Sequence, residues 1–217
     1  MVLKTSDYGK IVFMMERKPP VPYHRAKHFI LDIETLGVTV PAPILSAGIV
    51  VLDLSGDVPL IRSYLLHVDP RQCVGHPETE TVQWWLKQTA KARLDAFYAE
   101  RDEAPFDRFI EIIENEGPDY FWGKSHDFDF GHMGAQLKAL GKTAPWQFWQ
   151  LRDIRTMEGL GLKYEGDAPI YRQLTSYLKK HRTSHKALND AYKEAAVLCG
   201  SLLALAPVQK DEVRDDA

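Results

Sequence analysis

Cysteine is almost missing from this 217-residue chain, which contains only Cys73 and Cys199. Two thiols this far apart make neither a disulfide framework nor a zinc site with ligand spacing, so both read as reduced packing residues. Long apolar runs are missing too. The longest, Ile49 to Leu52 and Val197 to Leu205, fall well short of the ~20 residues that a bilayer-spanning helix needs. Ile11 to Met15 is too short for the apolar segment of a secretory signal. A soluble, cytoplasmic protein with no membrane partner is expected. Nor is there a basic excess: 27 Lys and Arg stand against 30 Asp and Glu, a formal charge of −3. That argues against a coat for long nucleic acid, whose binding draws on counterion release by basic residues. It suits a protein that concentrates carboxylates around divalent cations. A Gly-x-Ser-x-Gly nucleophile elbow and a glycine-rich phosphate loop are both absent, which removes the usual serine-hydrolase and nucleotide-cradling readings.

What remains is 45% hydrophobic, enough for one substantial core. Residues 1–27 mix Lys, Arg and Pro without a period and read as an extension packed loosely on the domain. Residues 28–207 form the domain, and 208–217 a tail. Phe29, Ile30 and Leu31 predict a short buried strand that stops at Asp32, Ile33 and Glu34. Residues 44–54 and 60–68 predict two more strands around a Ser55-Gly56-Asp57 turn. From Glu78 to Glu116 the period lengthens to that of helices, and Tyr120 to Trp122 reads as a strand entering after a helical crossover. Helices follow near 130–140 and 153–160, then a polar loop to Thr183, then a closing helix over about 185–205. The order predicts an α/β domain: a three-stranded antiparallel meander followed by helix-connected strands in one mixed sheet, with flanking helices.

Asp32 and Glu34 end the first strand, and a spacing of two sends both side chains to one face. Adjacent carboxylates repel unless a cation lies between them, and oxygen ligands are what Mg²⁺ or Mn²⁺ prefers. A solvated strand end is the bland alternative. Downstream, Trp122-Gly123-Lys124-Ser125-His126-Asp127-Phe128-Asp129 is a strand, a glycine turn and an acidic pair opening a helix. Asp190 lies in the closing helix, five residues after His185. Singly, Asp129 could be an ordinary first-turn acid and His185 a surface histidine. Together they give four carboxylates and one imidazole in the order Asp, Glu, Asp, His, Asp, all at element ends.

In these motifs the chain resembles the DEDDh exonucleases of the RNase T-like superfamily, across most of the sequence beyond residue 28. The first motif stands as Leu31-Asp32-Ile33-Glu34-Thr35-Leu36-Gly37 and the third as His185-Lys186-Ala187-Leu188-Asn189-Asp190-Ala191. Within the superfamily it is similar to the subgroup related to exonuclease VIII and to a mycobacterial adenylate-preferring RNase. Shared segments there are Ile44-Leu45-Ser46-Ala47-Gly48, Thr81-Val82-Gln83-Trp84-Trp85-Leu86 and Arg152-Asp153-Ile154-Arg155-Thr156. The middle motif departs from the pattern: Lys124 and Ser125 stand where Asn and Gly are usual, and Asp127 fills a position normally not acidic. The alignment still gives Asp129 as the third acid.

The resemblance implies an RNase H-like fold and 3′-5′ exonuclease activity on single-stranded RNA or DNA ends, with 5′ mononucleotides as product. It implies two divalent cations, Mg²⁺ with Mn²⁺ as the alternative, held by Asp32, Glu34, Asp129 and Asp190. It also implies a homodimer. His185 suits the acceptance of a proton from water, since histidine titrates near neutrality. Thr35, Leu36, Trp84, Phe128 and Arg155 are the expected substrate contacts. Stacked bases are worth roughly 1–3 kcal/mol each, and Trp84 or Trp85 could supply one, although Val82, Trp85 and Leu86 also form a core-type face. Leu36 could wedge against a base or simply pack. The run Lys179-Lys180-His181-Arg182 could guide a phosphate backbone or form a solvated loop.

Overall fold

The computed structural model describes residues 20–183 and 185–205. The tail and residues 1–19 of the extension lie outside them. Three antiparallel strands come first: β1 (Lys27–Thr35), β2 (Ile44–Asp53) and β3 (Leu60–His67). Helices α1 (Thr79–Leu86), α2 (Ala90–Tyr98) and α3 (Pro105–Glu116) lead to β4 (Tyr120–Gly123). Helix α4 (His126–Ala139) leads to β5 (Leu151–Asp153), and α5 (Ile154–Gly159), α6 (Pro169–Lys180) and α7 (Ala187–Leu205) close the chain. The sheet order is β3-β2-β1-β4-β5, with β4 parallel to β1 and β5 parallel to β4. This is the mixed sheet with flanking helices that the sequence predicts.

Alternation along β1 divides the interior in two. Phe29, Leu31 and Ile33 point to one face, where Phe109 and Ile113 of α3 and Phe130 and Met133 of α4 cover them. Ile30 points to the other, against Trp122, Ile154, Leu174 and the Ala191, Ala195 and Leu198 stripe of α7. Asp32 and Glu34 share the parity of Ile30, so they belong to the α7 face. With helices on both faces, β2 is buried along nearly its whole length, which explains its unbroken apolar run.

Four expectations need correction. Strand β1 continues through the acids to Thr35, because pairing with β2 persists past Asp32↔Gly48 and Glu34↔Ser46. Helix α4 starts at His126, ahead of its apolar stretch. Strand β5 was not foreseen. Residues 169–180, expected as loop, form α6: Pro169 opens it, and Ile170 and Leu174 pack one turn apart in the core beneath α7. The end of the extension is also tighter than expected. Tyr23 packs edge-on to Tyr120 at 4.7 Å between ring centres, and its hydroxyl accepts from Arg152 Nε at 2.7 Å. Both cysteines are free, and no helix among the described residues is long and apolar enough to cross a membrane.

Candidate active site

Strand β4 is short, and its pairing with β1 ends at Ile30↔Trp122. Beyond that point the Ile33 N–H is met by the Asp129 carboxylate, which accepts from it at 3.3 Å. Asp129 stands in the first turn of α4, where an acid suits the positive end of the helix dipole. Its approach requires Gly123, since a Cβ there would fall 2.6 Å from Asp129 Oδ2.

The third motif arrives from the opposite side in a similar way. Gly48 pairs with Asp32 across β1 and β2, and a Cβ on Gly48 would lie 2.1 Å from the carbonyl carbon of Ala187. Bare backbone at Gly48 therefore lets the start of α7 sit directly on the sheet beside Asp32. His185 adopts a left-handed backbone (φ 57°) and donates its N–H to Asp190 Oδ2 at 2.8 Å. The loop is pinned further by Asn189, whose amide donates to Thr183 O at 2.8 Å and accepts from the Tyr177 hydroxyl at 3.1 Å. Lys186 pairs with Asp95.

The result is a cavity of about 380 Å³ lined by Asp32, Glu34, His185, Asp190, Lys193 and Glu194, with Lys124 and Glu158 at its edge. One ligand-type atom each from Glu34, His185 and Asp190 lie within 4.8 Å of one another. The acids are strongly perturbed. Burial pushes Asp32 well above the ordinary carboxylate range, and the charges of Glu194, Asp129, Glu34 and Asp190 add to it. Burial, then Asp190, Asp95 and Asp129, push Glu34 up to about 8, with Lys193 opposing. Asp129 is raised by burial against the bond from Ile33. Lys193 bonds to Asp190 and brings one positive charge to a cluster of several carboxylates.

All five predicted catalytic residues meet at this site: Asp32, Glu34, His185 and Asp190 on the cavity, and buried Asp129 behind it. The tryptophan alternatives divide cleanly. The Trp84 ring stands edge-on to the His185 ring at 4.6 Å and is 39% exposed, whereas Trp85 is buried and donates its indole N–H to Thr35 O at 2.9 Å. Thr35 and Leu36 are drawn into the protein. The Thr35 hydroxyl donates to Gly37 O at 2.7 Å, and Leu36 packs with Leu45 and Trp85. Phe128 packs against the His132 ring at 4.5 Å. Arg155 bonds to Ser125 at the turn before α4 and lies 3.7 Å from Asp153. Lys179, Lys180, His181 and Arg182 are exposed at the end of α6. Sequence reasoning missed Lys193 and Glu194. Spacing shows only that positions 190, 193 and 194 share one helical face, not which way that face turns.

Comparison with known proteins agrees with this arrangement. A model of the 3′-5′ exoribonuclease Rv2179c-like domain matches residues 27–200. An exodeoxyribonuclease of Enterobacteria phage T4 is 24% identical across 59% of this chain and 69% of the phage protein. The solved structure of cell-death related nuclease 4 (CRN-4) shares the fold with a TM-score of 0.52 and 18% identity, over 84% of this chain and 65% of CRN-4. The nuclease domain of 3′hExo, a DEDDh family member solved with rAMP, gives a TM-score of 0.47 and 14% identity over 83% and 92% of the two chains. This chain thus spans just under two thirds of CRN-4. The family match spans all five site residues and both glycines that let the helices approach, and the chain belongs to the 3′-5′ exoribonuclease Rv2179c-like family.

Proposed function

We propose that the protein removes nucleotides from the 3′ end of single-stranded nucleic acid, RNA or 3′ overhangs by preference. It does so by hydrolysis with two divalent cations, Mg²⁺ or Mn²⁺, and releases 5′ mononucleotides. The observation that carries this reading is the convergence of Glu34, His185 and Asp190, with ligand-type atoms within 4.8 Å, on a cavity that Asp32 also lines. The donor set fits hard cations: the buried carboxylates push one another's affinity for protons upward, and among the described residues the cation bonded to this set is Lys193, on Asp190. Asp32, Glu34, Asp129 and Asp190 would hold the cations. When bound, these supply the charge that acidifies water and stabilises a departing 3′ oxygen.

The chain's own contributions follow from the geometry. His185 accepts the proton of the attacking water, and its position is set by the backbone bond to Asp190 and by the Trp84 ring. The exposed part of Trp84 offers a surface on which a terminal base can stack. Arg155, bonded to Ser125 at the turn before α4, offers a guanidinium to a substrate phosphate.

The experiment is to incubate the protein with 5′-labelled RNA and DNA of one sequence, with Mg²⁺, Mn²⁺ or EDTA, beside Asp32→Ala and His185→Ala. A ladder shortening from the 3′ end, lost in EDTA and in both variants, is expected. No shortening with any metal overturns the reading. A second reading, DNA as the main substrate, is favoured by the phage T4 relative being an exodeoxyribonuclease. The relative rates decide it, because choice of sugar rests on contact with a 2′-hydroxyl. Homodimer formation belongs to the same proposal, and a monomeric mass by light scattering at micromolar concentration would count against it.

A further inference from the structure

We infer that Glu194 is a fifth carboxylate of the cation site, holding the ions together with Asp32, Glu34, Asp129 and Asp190. This rests on the reading above that the site takes divalent cations. Glu194 follows Asp190 by one helical turn on α7, so both side chains leave the helix on the same face. It lines the same cavity as Asp32 and Glu34 and is only 6% exposed.

Its Oε2 is fully buried and has no hydrogen-bond partner among the described residues. A buried carboxylate without a partner is costly, and native proteins retain one where a ligand completes it. The two lysines nearby do not serve. Lys193 bonds to Asp190, and Lys124 pairs with Glu158 at 2.6 Å. A structural role would call for a fixed cation or for an apolar residue such as its neighbours Ala191, Ala195 and Leu198 on the same helix. Instead, Glu194 is the foremost of the neighbouring charges that raise Asp32. Burial, followed by the charge of Asp129, pushes Glu194 itself up to about 9, with Lys124 opposing. A carboxylate that increases repulsion at the centre of an acidic cavity is offset when divalent charge enters that cavity.

The test is Mn²⁺ binding by titration calorimetry on the full chain, at a pH near 7.5, for the wild type, Glu194→Gln, Glu194→Asp and Asp190→Asn. Melting temperature is read in EDTA and in Mn²⁺. Glu194→Gln keeps the shape and removes the group that ionises to meet a cation. Its expected signature is Mn²⁺ affinity at least tenfold lower, or one ion fewer, together with a higher melting temperature in EDTA. Glu194→Asp withdraws the carboxylate by one methylene and should weaken binding several-fold. It carries the test alone if the glutamine variant does not fold. Wild-type affinity and stoichiometry in the folded Glu194 variants, with binding lost in Asp190→Asn, would overturn the inference and leave the cation reading standing. A wild type that takes up no Mn²⁺ would overturn both.

Discussion

At its two ends β1 meets two clusters of buried charge that were assembled on opposite terms. Near its start, Lys27, Asp53, Arg62, Tyr64 and Glu116 form a closed set. Arg62 donates to both Glu116 oxygens at 2.6–2.8 Å, Tyr64 donates at 2.5 Å, and Lys27 donates to Glu116 O at 2.8 Å. Burial alone would push Glu116 upward, but the bonds from Arg62 and Tyr64 outweigh it and leave this acid below its ordinary range. Asp53 ends below its range as well, where Ser55 and Arg62 outweigh burial. Near the end of the same strand, Asp32, Glu34, Asp129 and Glu194 are raised, and Glu194 has an orphaned oxygen. Burial raises the acids of both clusters and is deeper at the second, but the first alone answers it with bonds from its own cations. The difference is whether the protein supplies the counter-charge. A set that is complete within the chain stabilises the fold, and an incomplete one is a site for something that arrives.

The largest expected effect separates the two clusters by what they lose. Asp32→Asn should lower the rate of nucleotide release by ~10³-fold, since a cation-borne contribution of several kcal/mol disappears. Its melting temperature in EDTA should stay level or rise, because folding no longer has to bury an acid that ionises readily in the unfolded chain. Glu116→Ala should do the reverse. Removing one partner of a buried ion pair costs 3–5 kcal/mol, and with Arg62 about a third open to water the figure is about 2–3 kcal/mol. That corresponds to a fall of roughly 5–10 °C in a chain of this size, with activity below the transition retained. Assaying rate and melting curve on both variants would collapse the comparison if the two losses travelled together.

Next in size is the response to pH. In the fold Glu34 and Glu194 hold their protons to about 8 and 9, while in the unfolded chain they release them near 4.5. Between those values the folded state binds more protons, so stability falls as pH rises, by about 1.4 kcal/mol per pH unit for each proton held. His28 acts at the acid end in the opposite sense. Burial lowers it to about 4, so between 4 and 6.5 the unfolded chain binds the extra proton and stability rises with pH, complete above 6.5. In EDTA the melting temperature should therefore decline from pH 6.5 to 9, and Mg²⁺ should flatten or invert that decline. A metal-free curve that keeps rising above pH 7 would show that the acids at the end of β1 are not raised.

How much of this was legible in the chain follows the same division. The acids of the three motifs could be read because a spacing of two on a strand, or a glycine turn before a helix, constrains where a carboxylate goes. The meander could be read from apolar runs and turns. Helix α6 was missed although Ile170, Leu174, Tyr177 and Leu178 recur at helical spacing against the core, because the polar residues between them read as loop. Glu194 was hidden because a lone glutamate in a helix usually faces water. Only the seating of α7 over Gly48 turns that face toward Asp32, and the consequence of a missing Cβ is visible only once the two elements are in contact. Trp84 and Trp85 are adjacent residues of similar chemistry; the face shared by Val82, Trp85 and Leu86 pointed Trp85 to the core, and the structure buries Trp85 while leaving Leu86 exposed.

That pair gives the smallest prediction and the finest version of the contrast. Trp85 serves the fold: it is 1% exposed and bonds to Thr35 O, so Trp85→Ala should cost roughly 3–5 kcal/mol as a core truncation. Trp84 touches the His185 imidazole edge-on, a contact of the kind worth ≈0.5–1.5 kcal/mol. If that contact orients His185, Trp84→Leu should slow release at saturating substrate by about two- to tenfold, with the melting temperature in EDTA nearly unchanged. Loss confined to KM would instead make Trp84 a base-stacking surface alone. Loss in kcat that shifts with pH would tie the ring to the proton acceptor beside it.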